Sequence, residues 1–175
     1  MSRILVLGGA RSGKSTWAEQ QLARADAVDY VATSPGRPDD AEWVERIRLH
    51  QQRRPAHWRT LETRDVAGVL ERDGAPVLID CLGTWLTAIC DEVGVWTDES
   101  DADQRLAGRV EHLVRAWQLT DRHAIAVSNE VGMGVVPSSA SGRRFRDDLG
   151  RLNMAMAAAS DEVYLLVAGL ASRLK

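Results

Sequence analysis

Cysteine is scarce in this chain, with two residues, Cys81 and Cys90. Two cysteines make no disulfide framework, and Cys81 follows an apolar run, so it reads as a reduced, packed thiol. No apolar stretch approaches the ~20 residues a membrane span requires. Positive charge is not in excess: 22 Lys and Arg stand against 25 Asp and Glu, a net charge of −3. That gives no support for nonspecific nucleic-acid binding through bulk charge, so any basic site must be local. His and Cys show no metal-ligand spacing, which argues against a structural zinc. There is no internal repeat and no low-complexity tract. The N-terminus is charged at Arg3 and glycine-rich from Gly8, unlike a signal peptide, so the expected location is the cytoplasm. Phenylalanine occurs once against six tryptophans, an imbalance that carries no functional reading.

What is present is ordinary globular material: 45% hydrophobic and 27% charged residues. At 175 residues the chain fits one domain, 1–175, with a sizeable core. Short apolar runs alternate with helical patterns. Strands are expected at 4–7, 28–33, 76–80, 124–129 and 162–169. Helices are expected at 14–25, 39–53, from about Thr84, at 102–121 and at 140–159. Such alternation implies an α/β fold, a mostly parallel sheet with helices on both faces. The polar, turn-rich segments 34–40 and 94–104 read as loops.

The most informative stretch is "GGARSGKS", residues 8–15, between the first strand and the first helix. Gly8, four residues, then Gly13-Lys14-Ser15 is the phosphate-binding loop pattern of the P-loop NTPases. Glycines let backbone N–H groups approach phosphate oxygens, and the helix N-terminus favours negative charge. Lys14 can reach the β- and γ-phosphates, and the Ser15 hydroxyl can bind Mg2+. The loop therefore holds a nucleoside triphosphate.

Asp80 closes "APVLID", a position suited to Mg2+ or to an N-cap of the next helix. Glu130 ends the fourth expected strand in the same way. In open α/β sheets, ligands bind at the carboxyl ends of the strands. Glu130 can therefore orient a substrate hydroxyl, act as base, or merely cap. Gly132 and Gly134, just beyond it, either let backbone approach a bulky ligand or form a plain turn.

The helix expected at 39–53 aligns Trp43, Ile47 and His50 on one stripe, with Arg46 and Arg53 a turn either side of His50. An imidazole among guanidiniums suits attack on a phosphorus centre, because nearby positive charge keeps it neutral and nucleophilic. On the residues alone, a packed or surface histidine fits as well, with the arginines paired to Asp39, Asp40, Glu42 and Glu45. His57 competes for the role but follows Pro55. His112 and His123 are poorer candidates.

Taken together and in order, "GGARSGKS", "VATS" (31–34), "RIRLHQQRRPAHW" (46–58), "LIDCLGTW" (78–85) and "VSNEVGMGVVP" (127–137) resemble one family across nearly the whole chain. It is the bifunctional adenosylcobinamide kinase / adenosylcobinamide-phosphate guanylyltransferase of cobalamin biosynthesis. The resemblance implies a RecA-like P-loop fold, a homotrimer and two reactions. ATP or GTP first phosphorylates adenosylcobinamide. GTP then forms a guanylyl-histidine, and GMP passes to adenosylcobinamide phosphate.

By the same resemblance His50 is the guanylylated residue and Lys14 a catalytic cation. Gly8, Gly9, Ala10, Arg11, Ser12, Gly13, Lys14 and Ser15 form the phosphate loop. Ala32, Thr33 and Ser34 touch nucleotide, as do Gln51, Gln52, Arg53 and Arg54. Glu62 and Asp80 are further nucleotide or Mg2+ contacts, with Ser15 also on Mg2+; Glu130, from its strand-end position and not from the resemblance, is the candidate contact to the substrate. Where some members carry two adjacent histidines, this chain has Leu49-His50. Two other classes stay open at this point: a P-loop kinase of another small metabolite with no covalent histidine, and a nucleotide-dependent regulatory switch.

Overall fold

The computed structural model describes residues 1–34, 45, 48, 54–97 and 99–175. The segment expected to form the helix 39–53, with His50, lies outside the described residues apart from Glu45 and Arg48.

Seven strands form one sheet: β1 (Arg3–Gly8), β2 (Asp29–Ala32), β3 (Arg59–Glu62), β4 (Val77–Asp80), β5 (Ala124–Asn129), β6 (Glu162–Val167) and β7 (Leu170–Arg173). Their order is β3-β2-β4-β5-β1-β6-β7. All pairings are parallel except that of β6 with β7. The described helices are α1 (Lys14–Gln21), α2 (Val66–Leu70), α3 (Leu82–Val93), α4 (Ala102–Leu119) and α5 (Ala140–Ala159).

The core follows the strand period of two. Leu5, Val31, Ile79 and Ala126 face one way and pack with α2, α3, α4 and α5. Ile4, Val6, Tyr30, Leu78, Ile125 and Val127 face the other way and pack with α1 and Trp58. Because both faces are covered, the central strands read as continuous apolar runs rather than as alternation. Helices on both faces of a mostly parallel sheet are what the sequence pattern required.

The differences from expectation lie at the sheet edges. β3 and β7 were not anticipated. β3 reads Arg-Thr-Leu-Glu, exposed along most of its length, and every residue of β7 is exposed. The run 162–169 ends in a two-residue turn at Ala168 and Gly169, with φ of 52° and 81°. That left-handed pair reverses the chain into a hairpin. α3 begins at Leu82, two residues before the expected start, and ends at Gly94, whose φ of 75° caps it. The loop expected at 94–104 contains a short 3-10 turn, Val95–Thr97.

At the N-terminal end of the sheet, buried Asp29 accepts from Arg122 Nη2 at 2.5 Å and from Arg59 Nε at 2.8 Å. The Arg122 guanidinium also donates to the carbonyls of Ala75 and Val69. The network ties β2 to the start of β5 at the end opposite the phosphate loop.

Candidate active site

The parallel register gathers the candidate residues at one edge. Gly8 pairs with Asn129, Ala32 pairs with both Asp80 and Glu62, and Asp80 pairs with Val127. These are the carboxyl ends of β1, β2, β3, β4 and β5. Glu130 follows directly, its N–H donating to the Gly8 carbonyl at 3.0 Å.

The loop is built tightly. A Cβ at Gly8 would lie 2.4 Å from Ser12 Oγ and 2.8 Å from the Leu166 carbonyl oxygen. Gly13 sits at φ 90° at the N-cap of α1, a conformation glycine adopts without strain. No side chain caps that helix and its first turn carries no acid. Its N-terminal N–H groups and dipole therefore point at an anion site. Lys14 is 8% exposed and its Nζ donates to the Gly9 carbonyl at 3.0 Å. Ser12 Oγ is buried with no hydrogen-bond partner. The β6–β7 turn braces the loop: Gly169 N–H donates to the Ser12 carbonyl at 2.9 Å.

Asp80 is held from one side. Tyr30, 4% exposed, donates its hydroxyl to Asp80 Oδ2 at 2.8 Å. Burial first, then the Asp80 charge, pushes the phenol well above its ordinary value, so it stays a neutral donor. The Arg54 guanidinium stacks 3.6 Å over the Tyr30 ring. Thr33 accepts from Cys81 N–H at 3.1 Å and donates to the Cys81 carbonyl at 2.7 Å, fixing the turn after β4. Burial, reinforced by Asp80, raises the Cys81 thiol, so it is no nucleophile.

The structure thus sets the loop 8–15, Ala32, Thr33, Ser34, Glu62, Asp80 and Glu130 along one carboxyl edge of the sheet, with β5, β4 and β2 between the loop and Glu62. It does so for Arg54 through Tyr30. His50, Gln51, Gln52 and Arg53 lie outside the described residues. His57 is exposed in the turn before β3, His112 bonds Glu71, and His123 bonds Ser2. Sequence reasoning missed Tyr30 and the bracing turn at Gly169. Tyr30 had a latent signal: it aligns with Leu78, two residues before Asp80, so the two share a face once β2 and β4 are known to pair.

The residues fit Mg2+ with nucleotide. Ser15 and Asp80 offer hard oxygen donors, and the described residues hold no group of three or more His, Cys, Asp and Glu that could cage a metal alone. Mg2+ bound to a nucleotide needs few protein ligands, because phosphates supply the rest.

An α/β sheet whose first strand enters a glycine-lined loop and an uncapped helix defines a P-loop nucleotide-binding protein. Within that class, the model of the cobinamide kinase / cobinamide phosphate guanyltransferase family matches residues 4–174. The bifunctional adenosylcobalamin biosynthesis protein CobU of Salmonella typhimurium is 40% identical over 181 residues, covering 98% of this chain and 99% of that protein. CobP of Pseudomonas aeruginosa, of the same description, is 42% identical over 180 residues, covering 99% and 97%. The chain belongs to the cobinamide kinase / cobinamide phosphate guanyltransferase family. Among solved structures, the flagellar accessory protein FlaH of Methanocaldococcus jannaschii aligns over 99% of this chain and 78% of its own, with TM-score 0.49 and 14% identity. A likeness that distant decides nothing about the site.

Proposed function

We propose that this chain carries out both family reactions at the carboxyl edge of its sheet. It phosphorylates adenosylcobinamide and then converts the phosphate to adenosylcobinamide-GDP. Family membership over residues 4–174 supports the activity. The observation that carries it to this site is the phosphate cradle: Gly8 packed against Ser12, Gly13 at an uncapped helix start, and Lys14 drawn inward.

In the kinase step the chain chiefly positions and neutralises. Lys14 and the loop N–H groups hold the β- and γ-phosphates while the acceptor hydroxyl attacks. In the guanylyl step a nitrogen of His50 bonds the α-phosphorus of GTP, the α–β bridging bond breaks, and pyrophosphate leaves. An oxygen of adenosylcobinamide phosphate then bonds the same phosphorus as the P–N bond breaks. The histidine thereby splits one hard transfer into two displacements. Ser15 and Asp80 would hold Mg2+, which would neutralise charge on the phosphates. Ala32, Thr33, Ser34, Glu62 and Gln51 to Arg54 complete the nucleotide contacts. A homotrimer and a cytoplasmic location belong to the same proposal; sedimentation equilibrium giving three chains per particle tests the first.

The decisive experiment uses GTP labelled at the α-phosphate. After incubation with Mg2+ and denaturation, label should remain on the chain through alkali and leave in acid, as a phosphoramidate does. Peptide mapping should place it at His50, and His50→Ala should lose it while still forming adenosylcobinamide phosphate. A chain that binds GTP yet takes no label is a kinase without the covalent step, and the guanylyl half of the proposal is then wrong.

A further inference from the structure

A second cavity adjoins the phosphate loop. A cleft of about 650 Å³ opens between the loop after β5 and the middle of α5, lined by Leu7, Glu130, Gly132, Arg146, Asn153 and Met154, among others. Leu7 precedes Gly8 of the phosphate loop, and Glu130 N–H bonds the Gly8 carbonyl. The cleft therefore reaches the cradle from the side of the sheet that α5 covers.

Its surroundings are unusual for a water-facing surface. The loop that supplies Glu130 and Gly132 continues through Met133, Val135 and Val136, which are 79%, 95% and 59% exposed. Met154 on the facing helix is 68% exposed. Leu7, Met154 and Ala157 line the cleft itself, and the loop running on from Gly132 exposes further apolar side chains, a combination that marks a binding surface. The floor is polar and already ordered: Asn153 Nδ2 donates to the Asn129 carbonyl at 3.0 Å, and Asn153 Oδ1 accepts from Ser128 at 2.6 Å. Arg146 adds a cation at the wall, lightly engaged with Asp147 at 3.2 Å. Broad apolar contact beside fixed polar groups suits a large flat ligand with an apolar face and an amide-bearing rim. A nucleotide would need neither the methionines nor the valines.

We infer that this cleft receives the corrinoid acceptor, with its aminopropanol end at Glu130; the inference rests on the proposed function. Glu130 Oε1 is held by Gly132 N–H at 2.6 Å, which fixes the carboxylate at the end nearest the cradle. In the kinase step the acceptor hydroxyl gives its proton to this carboxylate as its oxygen bonds the γ-phosphorus. The bond from that phosphorus to the β–γ bridging oxygen breaks, and the nucleoside diphosphate leaves. In the second reaction Arg146 is the cation within reach of the acceptor's own phosphate.

The test is equilibrium dialysis of the full chain against adenosylcobinamide, read by corrin absorbance, with a non-hydrolysable ATP analogue present. Met154→Arg and Val135→Asp alter exposed side chains, so the fold tolerates them. Each should weaken corrinoid binding about tenfold or more, since each sets a charge where apolar contact is needed. Leu119→Arg, on an equally exposed apolar residue at the end of α4, should bind as wild type. Glu130→Gln should lower kcat for phosphorylation at least about 100-fold. Its corrinoid affinity and its α-labelling by GTP should stay near wild type, a split that a structural cap would not produce. If wild type binds the corrinoid and both Met154→Arg and Val135→Asp bind it equally well, the cleft is not the acceptor site. If wild type binds none, the proposed function itself fails, and this inference with it.

Discussion

Removing one oxygen atom from Tyr30 separates a structural role from a positioning role. Tyr30→Phe keeps the ring, its packing against Leu78 and α1, and the stacked Arg54. It deletes only the donor to Asp80 Oδ2, now at 2.8 Å. A hydrogen bond to a charged acceptor contributes about 1.5–3 kcal/mol. Asp80 is only partly buried and can recruit water, so the net loss should fall near the lower end, about 1–2 kcal/mol. For a chain of this size that lowers the melting temperature by about 2–8 °C. Circular dichroism at 222 nm measures it directly.

The functional consequence is larger than the stability loss if Asp80 holds Mg2+. With Oδ2 occupied by the phenol, Asp80 presents Oδ1 in a fixed direction. Outer-shell hydrogen bonds of this kind change metal affinity or activity about 10- to 100-fold when deleted. The Mg2+ concentration for half-maximal activity should therefore rise in Tyr30→Phe, while kcat at saturating Mg2+ changes less. Neutral phenol is the donor throughout the working pH range, so the effect should not vary between pH 6 and pH 9. A melting temperature that falls with no change in Mg2+ dependence would make the Tyr30–Asp80 bond a structural one with no part in placing Mg2+. No change in either would refute the reasoning altogether.

Four further outcomes follow from the geometry. Gly8→Ala should abolish nucleotide binding, measured by calorimetry, because the new Cβ meets a backbone carbonyl at 2.8 Å as well as Ser12. Asp29→Asn should cost about 3–5 kcal/mol in urea unfolding at neutral pH, since it leaves the buried Arg122 charge without its carboxylate. Burial acts to raise the Asp29 carboxyl, but hydrogen bonds from Arg59 and Arg122 outweigh it and hold the folded value below the ordinary one. That stability is thus fully present above the unfolded value of about 3.9 and is lost as pH falls below it, so wild type and variant should converge in acid. Iodoacetamide at pH 8 should modify neither thiol of the native chain and both in urea, because burial raises Cys81 and pushes Cys90 up to about 11. Lys14→Ala should cripple phosphorylation and α-labelling together; normal labelling in that variant would mean two separate phosphate sites.

The interior of the sheet was legible because its strands are dense apolar runs, from Ile4 to Leu7 and from Ala124 to Val127. β3 and β7 were not, because edge strands bury little and so carry no period-two signal. The five residues of α2 are too few to display a helical period. The site divides along the same line. The phosphate loop is contiguous in sequence, and its residue types follow directly from the chemistry of holding phosphate. Asp80 was visible as an acid closing an apolar run. Tyr30 was not, since its bond to Asp80 exists only because β2 pairs with β4 in one particular register. The bracing of Ser12 by Gly169 likewise joins residues that only the parallel pairing of β1 with β6 brings together.

That bracing bears on how one cradle serves two reactions. Gly8 is closed in by Ser12 and the Leu166 carbonyl, Gly13 lies 3.1 Å from Gly169 Cα by its would-be Cβ, and Ser12 is tied to the same turn. A loop held on three sides cannot reshape itself between a γ-phosphoryl and an α-phosphoryl transfer without lifting the β6–β7 hairpin. The cradle is therefore the fixed part, and what changes between steps is the group that approaches it. In the first step that group is the acceptor hydroxyl, arriving from the Glu130 side of β1. In the second, under the proposed function, it is the His50 imidazole; among the described residues, Arg54 stacks on Tyr30, which bonds Asp80, and β4 and β5 separate that strand from β1. Glu130 follows β5, next to β1, whereas Tyr30 lies two strands further out on β2, so damage should sort by distance from the cradle along the sheet edge. Glu130→Gln should spare α-labelling, Arg54→Ala should impair it more than phosphorylation, and Lys14→Ala should spare neither. An Arg54→Ala variant that lost both activities equally would make Arg54 a contact common to both steps and refute that sorting.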